Sequence, residues 1–82
     1  MEQVTIETKV QDFIKGKFIF NKANNFNQKT SLFEEGIIDS TGVLELILFL
    51  EESFSVEIKD EEIVPENLNS VSNIARFMKT KL

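Results

Sequence analysis

Residues 32–54, LFEEGIIDSTGVLELILFLEESF, decide how this chain folds. At Asp39 and Ser40 the stretch passes from a segment containing Gly36, which permits a turn, into a strongly apolar helix expected to run from Ser40 to about Phe54. Asp39 suits the N-cap, where a carboxylate accepts from a first-turn N–H and complements the helix dipole. Ile38 and Val43 then occupy the N′ and N4 positions of a hydrophobic staple. Ser40 falls in the first turn. Gly42 costs that turn about 1 kcal/mol relative to Ala, which would leave the serine end adaptable.

This helix has more apolar positions than one core face requires. With Leu46, Ile47, Leu50 and Phe54 facing inward, Leu44 and Leu48 fall toward solvent beside Glu45 and Glu52. Exposed apolar residues ringed by acids suit a docking face for basic partners, and Thr41 lies at its serine end. The plainer alternative makes Leu44 and Leu48 peripheral core.

Upstream, Val4, Ile6, Val10, Phe13, Ile14 and Phe18 recur mostly at spacings of three and four, which predicts an amphipathic first helix over about residues 4–20. Asn-rich residues 21–31 read as a loop with Phe26 as an anchor. Loop character continues to Asp39, with Leu32, Phe33, Ile37 and Ile38 pinned to the core. Downstream, SVEIKDEE reads as an extended connector, because its brief alternation of Val56 and Ile58 has no visible partner strand. Pro65 opens a short helical segment, Pro65–Leu68. Ser70 caps a last helix from Val71 to about Lys81, with Val71, Ile74, Phe77 and Met78 in one stripe and Lys79 and Lys81 at the favourable end of its dipole. The expected fold is all-α: one domain over residues 1–82, a bundle of three main helices plus one short helix, with a long loop between helices 1 and 2.

Eighty-two residues with 41% hydrophobic content and eight Phe form a real but small core, with a thin stability margin. The absence of Cys excludes disulfides and thiolate metal sites, and fits a reducing compartment. The N-terminus reads as no signal peptide, and no run reaches transmembrane length, so a cytoplasmic protein without membrane insertion is expected. Net charge is −5, and the acid is concentrated centrally: residues 45–66 hold eight acids against one Lys. Such a block repels nucleic acid and anionic membranes. Asp60, Glu61, Glu62 and Glu66 lack the alternating ligands and glycine of a calcium loop and read as a solvated face, so no metal is expected.

Ser40 has no ordinary base to activate it, since the chain contains no His, Cys or Tyr. It therefore suits a hydroxyl that is modified better than one that catalyses. In order and spacing, the first helix, the loop ending in LFEEGIIDS, the helix ending in EESF, the connector SVEIKDEEI and the capped NSVSNIARFM resemble the acyl and peptidyl carrier proteins. The likeness covers nearly the whole chain. It implies that Ser40 carries a 4′-phosphopantetheine arm from coenzyme A and that Asp39 belongs to the recognition site of a magnesium-using phosphopantetheinyl transferase, beside its reading as a cap. The implied protein is a monomeric carrier, not an enzyme. An acyl or aminoacyl group would travel on the arm as a thioester between a loading ligase or synthase and downstream acyltransferase or condensing enzymes. Thr41, Leu44, Glu45, Leu48 and Glu52 would be the docking residues. Many members have Leu after the serine. The run DSTG after LFEEGII looks closer to D-alanyl carriers and to carriers loaded by AMP-forming ligases, with fatty-acid synthesis as another pathway. An unmodified helical interaction module is the rival from a different class.

Overall fold

A computed structural model describes residues 3–18 and 27–82. Phe26 and the expected end of the first helix at Ile19 and Phe20 lie outside them. The described residues form α1 (Gln3–Lys17), α2 (Ser40–Phe54), α3 (Pro65–Leu68) and α4 (Val71–Lys81), with a turn of 3-10 helix at Asp60–Glu62. This is the expected bundle of three main helices and one short helix.

In α1, the buried residues Ile6, Val10 and Ile14 repeat every four positions and form the stripe that meets the core. Val4 is 68% exposed, contrary to its expected place in that stripe. Two residues of helix turn through about 200°, which puts Val4 on the opposite side from Ile6. α1 packs against α4, whose buried face is Val71, Ile74, Ala75, Phe77 and Met78. Ser70 caps α4, its hydroxyl accepting from Asn73 N at 3.1 Å. Pro65 stands at the start of α3, where a missing N–H costs nothing.

α2 buries Leu46, Ile47, Leu50 and Phe54 on the expected face. Between α1 and α2 the Phe13 and Phe49 rings stack at 4.0 Å, and Phe18 and Phe54 meet them edge-on at 5.8 and 6.5 Å. α2 ends at Ser55, whose φ of 55° is the left-handed conformation more often given to glycine.

The long loop is fastened by a residue that sequence reasoning passed over. Leu32 and Ile38 are buried, and Phe33 and Ile37 pack against the same core. Gly36, at φ 71°, makes the turn between them. Asn69, between α3 and α4, accepts on its side-chain oxygen from Ser31 Oγ at 3.0 Å and Phe33 N at 3.2 Å. Its backbone carbonyl accepts from Leu32 N at 2.7 Å. Asn69→Ala would remove the acceptor of both side-chain bonds and leave two donors in search of water. It is expected to cost about 1–3 kcal/mol, read as a lower midpoint in denaturant.

The connector forms no regular element over residues 56–59 and is extended at Lys59; the acids after it wind into the 3-10 turn instead of continuing extended. Ile58 is buried, and its N–H donates to the Glu51 carboxylate at 2.9 Å. Asp60 and Glu61 are exposed. Glu62 closes the turn by accepting from Lys59 N at 2.9 Å, and it pairs with Lys81 Nζ at 2.9 Å. The Lys59 N–H, with the Lys81 ammonium second, holds its carboxyl below the usual carboxylate range. A carboxylate lowered in the folded state contributes stability above its unfolded pKa and loses it as pH falls through the folded value. Thermal melts from pH 7 into the acid range should therefore fall more steeply for wild type than for Glu62→Gln below about pH 4.5. Parallel curves would count against this role.

Candidate functional site

Ser40 is the first residue of α2, and Asp39 before it is extended (φ −104°, ψ −172°), as an N-cap requires. The Asp39 carboxylate accepts from Gly42 N at 2.8 Å, and the first helical bond runs from Val43 N to Asp39 O at 3.0 Å. Ser40 is exposed, and its hydroxyl takes part in none of the hydrogen bonds among the described residues. Asp39, the nearest carboxylate in sequence, is engaged as the cap. The arrangement therefore presents a hydroxyl without a bonded base, at the positive end of a helix dipole.

Thr41, Leu44, Glu45, Leu48 and Glu52 are all exposed, at spacings of three, one, three and four that place them along one side of α2. Leu44 is 62% and Leu48 58% exposed, which rules out their reading as peripheral core. Glu45 lies 4.0 Å from Lys17 of α1, with both side chains about half exposed. A pair so open holds little energy and leaves the acid free to exchange partners. The structure thus gathers the candidate docking residues onto the helix that Ser40 opens, while Val43 turns partly inward against the core.

Gly42 differs from its sequence reading. It is buried, and an alanine Cβ there would lie 2.9 Å from Cε1 of Phe18. The glycine marks a close approach of the Phe18 ring, just beyond α1, to the serine turn. Its position beside the serine was visible in sequence, but its aromatic neighbour was not.

A groove of about 540 Å³ opens between α1 and α2, lined by Lys9, Asp12, Phe13, Phe49 and Ser53. Phe49 and Ser53 are nine and thirteen residues beyond Ser40, about 14 and 20 Å along the helix. No group of His, Cys, Asp or Glu among the described residues is arranged to hold a metal. No helix among them is long and apolar enough to cross a membrane.

No family model matches the chain. It is 34% identical over 76 residues to an acyl carrier protein of Buchnera aphidicola, covering 93% of this chain and 91% of that one. It is 30% identical over 76 residues to the D-alanyl carrier protein of Streptococcus uberis, with 93% and 94% covered. A solved structure described as the crystal structure of an FAD-dependent dehydrogenase aligns with a TM-score of 0.76 and 29% identity, over 84% of this chain and 97% of that one. With the helical bundle and the exposed serine opening α2, the similarity along nearly the whole length of the Buchnera protein shows that this chain belongs to the acyl carrier protein family and works as a carrier, not an enzyme.

Proposed function

We propose that Ser40 is the attachment point of a 4′-phosphopantetheine arm and that the protein presents an acyl or aminoacyl group on it to biosynthetic enzymes. The observation that carries this reading is the exposed, unengaged hydroxyl on the first residue of a helix capped by its own Asp39. The residues fit the group: a phosphodiester on Ser40 Oγ would sit at a helix N-terminus, where the dipole and the unpaired N–H groups of the first turn favour an anion. When bound, the arm supplies the thiol that holds the cargo as a thioester, which a chain without Cys cannot supply.

The chain's own part is to fix the handle and to offer a face. Asp39 holds the first turn in register and is available to the transferase as a recognition element. Thr41, Leu44, Glu45, Leu48 and Glu52 form the face on which partners with basic and apolar surfaces dock. Local acid raises the encounter rate, while the two leucines give each complex a small apolar contact. The partners are a phosphopantetheinyl transferase, a loading ligase or synthase, and downstream acyltransferase or condensing enzymes in the cytoplasm. The run DSTG favours loading by an AMP-forming ligase in a specialised pathway. The D-alanyl relative supports a second reading with an aminoacyl cargo.

Coexpression with a broad-specificity phosphopantetheinyl transferase tests attachment by intact mass. Wild type is expected to gain one arm. No gain, while a control carrier is modified in the same cells, would leave the unmodified interaction module as the better reading.

A further inference from the structure

We infer that the contact between Gly42 and Phe18 positions the serine turn for arm transfer, with α1 acting as the splint that holds the start of α2. The role in transfer rests on the reading of Ser40 as the attachment point; the contact itself does not.

Three groups converge on the backbone at position 42. A Cβ built there would stand 2.9 Å from Phe18 Cε1 and 3.4 Å from both Asp39 Oδ1 and Ile38 Cγ2. Carbon atoms attract best at about 3.5–4.0 Å, so the first separation is repulsive and an alanine would force the ring or the turn to move. The same Asp39 oxygen accepts the Gly42 N–H. The ring, the cap and the residue before the cap thus share one small space, and Ser40 lies in that turn.

Phe18 is itself held. Its ring stands edge-on to Phe13 at 5.8 Å, and Phe13 stacks on Phe49 at 4.0 Å with planes 7° apart. Phe18 N also donates to Ile14 O at 2.9 Å, which keeps the residue on the end of α1. A row of rings therefore leaves the serine turn, crosses to α1 and returns to α2 at Phe49. Displacing Phe18 would disturb a connection that spans much of α2. In arm transfer the Ser40 oxygen would bond to the pantetheine-bearing phosphorus of coenzyme A, its proton passing to a base of the transferase, while the P–O bond to the second phosphate breaks and adenosine 3′,5′-bisphosphate leaves. Misplacement of the Ser40 oxygen by about 1 Å can cost up to 10²-fold in rate.

The test is a two-residue cycle of Gly42→Ala and Phe18→Leu, read by thermal melts, arm-transfer kinetics and amide resonances. Alanine is the better helix former, so with Phe18 shortened Gly42→Ala should raise the melting temperature by about 4 °C. With Phe18 intact the same substitution should give no rise, or a fall. Gly42→Ala alone should reduce kcat/KM for arm transfer by about tenfold, mainly in kcat, and shift the Ser40 and Thr41 amide resonances. The double variant should recover to within about threefold of Phe18→Leu. The proposal is overturned if Gly42→Ala raises the melting temperature equally in both backgrounds. It is equally overturned if Gly42→Ala transfers at the wild-type rate with those amides unmoved. Wild type that accepts no arm at all would overturn the attachment reading and the transfer role, while the melts and resonances would still decide whether the contact orders the turn.

Discussion

Leu50→Ala is expected to lower the melting temperature by about 10–20 °C, whereas Leu48→Ala, two residues away on the same helix, should move it by no more than about 4 °C. Leu50 is fully buried and Leu48 is 58% exposed. Truncating a buried leucine loses transfer energy and leaves a cavity, together about 2–5 kcal/mol. A domain of 82 residues holds roughly 4–12 kcal/mol in total, so this one change consumes a large share of the margin. Removing the same atoms from Leu48 takes little from the core. Far-UV circular dichroism on heating separates the two, and similar shifts would contradict the orientation of α2 on which the proposed docking face depends.

Ser40→Ala is expected to abolish arm attachment entirely while leaving the melting temperature within about 4 °C of wild type. The hydroxyl is the atom that would be esterified, so no other group at this position can replace it. Its removal disturbs little else: the side chain is exposed, and the cap that holds the turn belongs to Asp39. Asp39→Ala provides the contrast, because it should cost about 1 kcal/mol of stability with the hydroxyl still present. Loss of modification in a folded Ser40 variant separates a chemical handle from a structural residue. Retained modification in that variant would move the handle elsewhere.

The features legible in the sequence were those with a local cause. A carboxylate before an apolar periodic run marks where α2 begins, because the cap is satisfied within four residues. Pro65 and Ser70 mark α3 and α4 by the same logic. The two faces of α2 followed from its excess of apolar residues, and exposure of Leu44 and Leu48 bears the division out. The candidate site stands out in the sequence as a pair, Asp39 and Ser40, because the chain lacks the residues that would make a serine catalytic.

What escaped was set by distance along the chain. Asn69 bonds to Ser31 and Phe33, 38 and 36 positions away, and an asparagine before a capping serine gives no sign of such partners. Gly42 read as a local cost to the turn, but the close neighbour of its backbone is the Phe18 ring, which follows α1 and lies 24 positions away. Val4 stands only two residues before Ile6, outside the three-and-four spacing of the stripe, and so faces outward. Ser55 adopts a left-handed cap without the glycine that would announce it, and the acids after Lys59 form a turn because Glu62 finds the Lys59 N–H and Lys81.

Ser40 is not the only exposed serine; Ser53 and Ser55 at the far end of α2 are exposed as well. Fragment mass spectrometry of wild-type protein coexpressed with the transferase therefore tests the central claim most directly. The account predicts a single arm on Ser40, with Ser53 and Ser55 unmodified. An arm on any other residue, or an unmodified Ser40 beside a fully modified control carrier, would contradict it.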